Sequence, residues 1–195
     1  MAFFRSYIYM INDPEQVVAA CKRKDQKSMK LLYEELSPMM MGVCMRYARS
    51  REDAQDLLHD GFVKVFERIG QLRNAQALLN WVYKIMLSVA VNHSLEKQMI
   101  VYCDLEERDE QNDFIELEQW DFDRETTAEK IVEILQTLPE PYRLAFNMRE
   151  VEEMEYKDIS EKMKAPETTV RSYVHRAKKM IRERLGVSPE SPSKD

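Results

Sequence analysis

Glycine is scarce in this chain, with 4 residues in 195, and proline adds only 7. The tight turns between β-strands draw heavily on Gly, Asn and Pro at positions of special backbone geometry, so a sheet-rich fold would have too few corners. Met, Leu, Glu, Lys and Ala are abundant instead, and all are good helix formers. An all-α fold without a sheet is therefore predicted. Cysteine is scarce as well: Cys21, Cys44 and Cys103 are odd in number and far apart, and no histidine stands at ligand spacing from them. That excludes a disulfide framework and a zinc site, and neither a metal nor a cofactor is expected.

Long hydrophobic runs are also missing. At 44% hydrophobic and 33% charged residues the chain is too polar for a membrane span. Its apolar start, MAFFRSYIYMIND, has no small-residue cleavage site and meets Asp13-Pro14 too early for a signal peptide. A strand or turn packed on the body is expected there, in a cytoplasmic protein. No nucleophile, base and orienting group stand together in the sequence, so no catalytic residue and no enzyme is expected.

The 29 basic and 35 acidic side chains give a net charge of -6, but the excess is local. Residues 101–130 hold 3 basic and 12 acidic side chains, whereas residues 131–195 hold 12 of each. A self-repelling stretch without a sustained apolar period reads as a linker. Its carboxylates also lack the fixed spacing and glycine turn of a calcium loop. The predicted organisation is a helical domain over 1–100, an acidic linker over 101–126, a second helical domain over 127–186, and a disordered tail over 187–195.

Helix signals place the elements. Asp13-Pro14-Glu15 starts a first helix, and a second is expected from about Gln26 to Ala48 with a bend near Pro38. Ser50 can cap a third, whose apolar stripe runs through Ala54, Leu57, Leu58, Phe62, Val65, Phe66 and Ile69, with Asp53, Asp56 and Asp60 on the other side. A fourth, from about Ala75 to Glu96, is expected to bury Leu78, Trp81, Val82, Ile85, Val89 and Val91. In the second domain Leu138-Pro139-Glu140 marks a break between helices.

Near the C-terminus, YKDISEKMKAPETTVRSYVHRAKKMIRERL has the pattern of a helix-turn-helix. Ile159, Met163, Ala165, Val170 and Tyr173 supply apolar residues where two short helices cross, and Ser160 supplies a small one. The turn is Lys164-Ala165-Pro166, with Lys164 where positive φ would favour glycine. On the second helix Val170, Val174, Ala177, Ile181 and Leu185 are expected to face inward. Arg171, Lys178 and Arg182 should lie together outside, flanked by Arg176 and Lys179. Six Arg or Lys in nineteen residues of an acidic chain suit DNA phosphates.

One such module is a weak reader alone, so it needs a dimer partner or a larger machine to hold it on DNA. Here REDAQDLLHDGFVKVFERI followed by LRNAQALLNWVYKI resembles region 2 of bacterial RNA polymerase sigma factors. The stretch from LPEPYRLAFNMRE to KKMIRERL resembles their region 4. Both regions in that order, with an acidic linker between, resemble the extracytoplasmic-function group. The rival reading is a dimeric helix-turn-helix regulator that never touches polymerase.

The resemblance implies partners and roles. Asp53, Asp56, Leu57, His59 and Asp60 would dock on the beta-prime subunit of core RNA polymerase, whose beta subunit is the other expected contact. Arg73, Asn74, Gln76, Asn80, Trp81 and Lys84 would hold the minus-ten element of promoter DNA, with Trp81 mainly in packing. Glu167, Thr168, Arg171, Ser172, Arg176, Lys178 and Lys179 would read the minus-35 element. An anti-sigma protein is a further partner of this family. The chain departs from the family after the tryptophan helix, where Leu87 and Ser88 replace an Arg-Asn pair and only Lys97 is basic between Ile85 and Ile100. Fewer cations predict a weaker minus-ten grip, compensated by an additional DNA-bound partner or an unusually good upstream element.

Overall fold

The computed structural model describes residues 13–105 and 128–186, with side chains for 13–97 and 130–186. The expected N-terminal strand or turn, most of the acidic linker and the tail after Gly186 lie outside those residues. Among the described residues there is no strand. The helices are α1 (Pro14–Lys22), α2 (Gln26–Tyr47), α3 (Arg51–Arg68), α4 (Leu78–Leu105), α5 (Ala128–Gln136), α6 (Glu140–Phe146), α7 (Tyr156–Met163) and α8 (Glu167–Leu185). Short 3-10 turns at Ile69–Gln71 and Ala75–Ala77 lead from α3 into α4, and a π-helical turn at Asn147–Val151 extends α6. The chain divides into two compact units, Met1–Asn92 and His93–Asp195.

In the first unit the helix starts are set by short polar side chains. The Asp13 carboxylate accepts the Gln16 N–H at 3.0 Å, and Asp25 accepts both the N–H and the hydroxyl of Ser28, at 2.8 and 2.7 Å. The Ser28 hydroxyl above all holds the Asp25 carboxyl below its ordinary range. Ser50 accepts the Asp53 N–H at 3.1 Å and caps α3, while the Asp53 carboxylate accepts the N–H of Arg49, the residue before the cap, at 3.1 Å. α2 runs unbroken through Pro38, which like Glu34 one turn before it is an exposed residue, so the missing hydrogen bond falls on the outer side of the helix.

The core of this unit joins Leu32, Leu36, Met40 and Val43 of α2 to Ala54, Leu57, Phe62 and Val65 of α3, with Val18 and Cys21 from α1 and Val82 from α4. Helices α3 and α4 approach closely at Gly61, where an added methyl would stand 2.1 Å from the Met86 Sδ. The buried stripe of α4 runs through Leu78, Val82, Met86 and Val89. Trp81 and Ile85, expected inside, sit one position round the helix at the margin of that stripe and are half-buried. Phe66 is half-buried for the same reason, its ring 6.0 Å from that of Phe62. α4 also continues to Leu105, past the expected end at Glu96 and into the expected linker, since no Gly or Pro between Gly70 and Pro139 stops it.

In the second unit α5, α6 and α8 meet around Ile134, Leu135, Leu138, Phe146, Ala177 and Ile181. Arg143 and Glu140 are buried among them as an ion pair, and Arg143 also donates to the Gln136 carbonyl at 3.4 Å. The helix-turn-helix is formed by α7 and α8. Ile159, Met163, Ala165 and Val170 are buried at the crossing, and Tyr173 is half-buried with its ring 5.4 Å from that of Tyr142. Lys164 adopts φ 51° and ψ 38°, the left-handed geometry expected of the turn. The Ser160 hydroxyl donates to the Ala165 carbonyl at 2.7 Å and ties the turn back to α7.

Candidate DNA and polymerase interfaces

The nineteen residues of α8 turn by about 100° each, so the buried quartet Val170, Val174, Ala177 and Ile181 defines its inward direction. The point opposite is occupied by Thr168, Ser172, Lys179 and Glu183, with the half-buried His175 and Arg176 beside them. Nothing in the local sequence pattern singles out His175, whose place is set by the direction of the buried quartet on the opposite side of the helix. Arg171, Lys178 and Arg182, expected to form the outermost row, instead lie at one edge of the buried face. The reason is their position one residue after Val170, Ala177 and Ile181.

That edge is internally paired. Lys178 Nζ stands 2.9 Å from the Glu150 carboxylate, with the two side chains only 18% and 26% exposed. It is thus held by an acid from the π-helical turn rather than offered as a free cation. Arg171 remains half exposed, 3.7 Å from Glu167, with its Cζ 4.0 Å above the Tyr156 ring. On the other edge Arg176 donates to the Tyr142 hydroxyl at 3.1 Å. Leu185, expected inside, is half-buried at the helix end.

A second polar surface is built where α3 passes into α4. Arg73, Asn74 and Gln76 are exposed on the connecting loop, and the Asn74 side-chain oxygen accepts the Gln76 N–H at 3.0 Å. That bond starts the 3-10 turn and leaves the Asn74 amide free to donate outward. Leu72 anchors the loop in the core, and Lys22 at the end of α1 donates to its carbonyl at 2.7 Å. Along α4, Asn80, Lys84 and Ser88 form an exposed row at i, i+4, i+8, with the half-buried Trp81 alongside. Lys84 is the one Lys or Arg between Arg73 and Lys97.

The third surface is the outer face of α3. Asp56, His59 and Asp60 are exposed there, and Glu52 and Glu67 extend the acidic row. Leu57, expected on this face, is 2% exposed, and Leu58 is equally turned inward, because both belong to the stripe packed on α2. The apolar residue that this face does present is Val63, 43% exposed and one turn beyond Asp60. Asp53 is half-buried and serves the cap of α3.

The remaining chemistry is sparse. Burial pushes the Cys44 thiol up to about 12, and burial with the nearby Asp25 charge raises that of Cys21, so neither is a thiolate at neutral pH. Among the described residues no three His, Cys, Asp or Glu side chains converge as a metal ion requires, and no helix is long and apolar enough to cross a membrane.

Comparison with known proteins finds matches in both parts of the chain. Residues 32–98 match Sigma-70 region 2 and residues 128–181 match Sigma-70 region 4. The RNA polymerase sigma-H factor of Pseudomonas aeruginosa is 29% identical over 175 residues, covering 86% of this chain and 91% of that protein. The ECF RNA polymerase sigma-E factor of Haemophilus influenzae is 28% identical over 179 residues, covering 88% and 94%. A solved structure of the sigma factor RpoE with the anti-sigma factor NepR from Bartonella quintana is a looser likeness, with TM-score 0.45, 19% identity, and 85% and 99% of the two chains covered.

A helix-turn-helix unit joined to a region 2 unit defines a transcription initiation factor rather than a free-standing repressor. The chain belongs to the sigma-70 family of RNA polymerase sigma factors, in its extracytoplasmic-function group. It acts with core RNA polymerase on promoter DNA, and the match over 32–98 disfavours the dimeric regulator.

Proposed function

We propose how the two regions divide the work. The α3 face of Asp56, His59, Asp60 and Val63, with Asp53 at its start, docks on a basic helix of the beta-prime clamp; the beta subunit is the other contact. The loop Arg73, Asn74, Gln76 and the α4 row of Asn80, Trp81 and Lys84 hold the minus-ten element. Helix α8 reads the minus-35 element through Glu167, Thr168, Arg171, Ser172 and His175, with Arg176 and Lys179 nearer the phosphates. The chain works in the cytoplasm without catalysis of its own, and an anti-sigma protein covers these same faces when transcription is held off.

The finer reading is that this sigma factor grips the minus-ten element weakly and relies on a DNA-bound helper for promoter opening. One observation carries it: the α4 row exposes Asn80, Lys84 and Ser88, so a single cation faces the DNA where others would strengthen the hold. Taking a base out of the stack costs a few kcal/mol, roughly, and that cost must be met by contacts to the opened strand. Half-buried Trp81 is well placed to stack on such a base.

The test is transcription from core polymerase and this protein alone, on closed duplex and on templates pre-opened at the minus-ten element. Expected is ready initiation on the pre-opened template and slow initiation on the duplex, corrected by adding two cations through Leu87→Arg and Ser88→Arg. Equal rates on both templates for the natural chain would defeat the reading.

A further inference from the structure

Arg149, Tyr156 and Arg171 come from three different elements and meet at one ring. Arg149 leaves the π-helical turn with its Cζ 4.6 Å from the Tyr156 centroid, and Arg171 approaches the same ring to 4.0 Å. Two guanidinium groups beside one ring repel each other, so the arrangement needs compensation. Glu155 lies 4.0 Å from Arg149, and Glu167 lies 3.7 Å from Arg171. Arg149 is further tied by donating to the Met154 carbonyl at 2.8 Å, so it backs the ring from a fixed place.

Arg171 has no such backbone tie. Its side chain is 48% exposed, and on α8 it stands at the rim of the buried face, not at the outermost point. An exposed arginine samples many rotamers and loses that freedom when it engages a base edge. The aromatic face removes part of the freedom beforehand, because the ring quadrupole attracts the planar cation and restricts where it can lie.

We propose that Tyr156 is a positioning residue for Arg171, holding its guanidinium ordered at the edge of α8 so that Arg171 discriminates bases in the minus-35 element. This rests on reading α8 as the helix that recognises that element. Tyr156 acts through its ring, and its hydroxyl is not required. Arg149 keeps the ring in place and is a member of the same device.

The experiment uses the full chain bound to core polymerase. Duplexes randomised over one helical turn are selected with the natural protein, and binding to the selected duplex and its single-base variants is then measured for Tyr156→Phe, Tyr156→Leu, Arg171→Ala and the Tyr156→Leu, Arg171→Ala pair. Tyr156→Leu should reduce discrimination about two- to five-fold at the positions that depend on Arg171, and at no others. Tyr156→Phe should retain discrimination, and the double variant should be no worse than Arg171→Ala. A sequence-independent loss in Tyr156→Phe, or losses in the double variant that simply add, would overturn the proposal. If Arg171→Ala leaves every base preference unchanged, the reading of α8 fails first and takes the proposal with it.

Discussion

Replacing Glu150 by Gln tests what the ion pair at the edge of α8 does. Lys178 Nζ and the Glu150 carboxylate are 2.9 Å apart with about a fifth to a quarter of each side chain exposed. At that distance the Coulomb attraction is about 6 kcal/mol for an effective dielectric near 20, before desolvation is counted. Partly buried pairs give most of it back, and a net contribution of about 1 kcal/mol is reasonable. While the pair is closed, Lys178 brings no net charge to DNA.

Glu150→Gln frees that charge and, in the proposed docking of α8, removes an acid that would lie near the phosphates. Each phosphate neutralised steepens the fall of log affinity with log salt by about 0.9. The variant should therefore bind duplex DNA about five-fold more tightly at low salt, an effect near 1 kcal/mol, with a salt slope steeper by roughly one. Lys178→Ala alone should change little, whereas in the Glu150→Gln background it should erase the gain. Fluorescence anisotropy of labelled duplex against the chain and core polymerase, titrated over salt, measures both quantities. An unchanged slope in Glu150→Gln, or a full unit lost in Lys178→Ala alone, would refute the pairing as a brake on DNA binding.

Two further predictions concern the units that carry these surfaces. Gly61→Ala would place a methyl 2.1 Å from the fully buried Met86 Sδ. Overpacking of about 1–3 kcal/mol against a helix-propensity gain of roughly 1 should leave the first unit about 1 kcal/mol less stable in urea unfolding. Unchanged stability would mean that Met86 moves aside freely. Arg143→Met leaves the buried Glu140 without its guanidinium and should cost the second unit about 3–5 kcal/mol, while Glu140→Leu with Arg143→Met should recover most of the loss. Equal unfolding midpoints for the single and double variants would contradict this.

Much of the fold was legible because it follows from local chemistry. The absence of turn residues, the caps at Asp13 and Ser50, the break at Pro139 and the strained Lys164 are all features of a few neighbouring side chains. Less legible was anything that depends on where a helix faces. Leu57 read both as core and as exposed docking residue, and packing against α2 assigned it to the core, leaving Val63 as the apolar member of the acidic face. The π-helical turn at Asn147–Val151 has no breaker to announce it, yet it supplies Glu150 to Lys178 and Arg149 to Tyr156.

The consequence for function lies in the charges. Read along the sequence, α8 is a basic helix in an acidic chain, and its cations look free for phosphates. In the fold Arg171 faces Glu167, Lys178 faces Glu150, and nearby Arg149 faces Glu155. Lys178 is thus the cation most fully matched by an acid, Arg171 and Arg149 have more distant carboxylates, and the outermost positions fall to Thr168, Ser172, Lys179 and Glu183 with His175 and Arg176 beside them. Such a surface gains less from indiscriminate phosphate contact and more from hydroxyls, an imidazole and one ordered arginine presented to base edges. With few cations on α4 as well, the two regions as proposed gain little from DNA of arbitrary sequence, so that core polymerase would have to hold both on the promoter for α8 to select it.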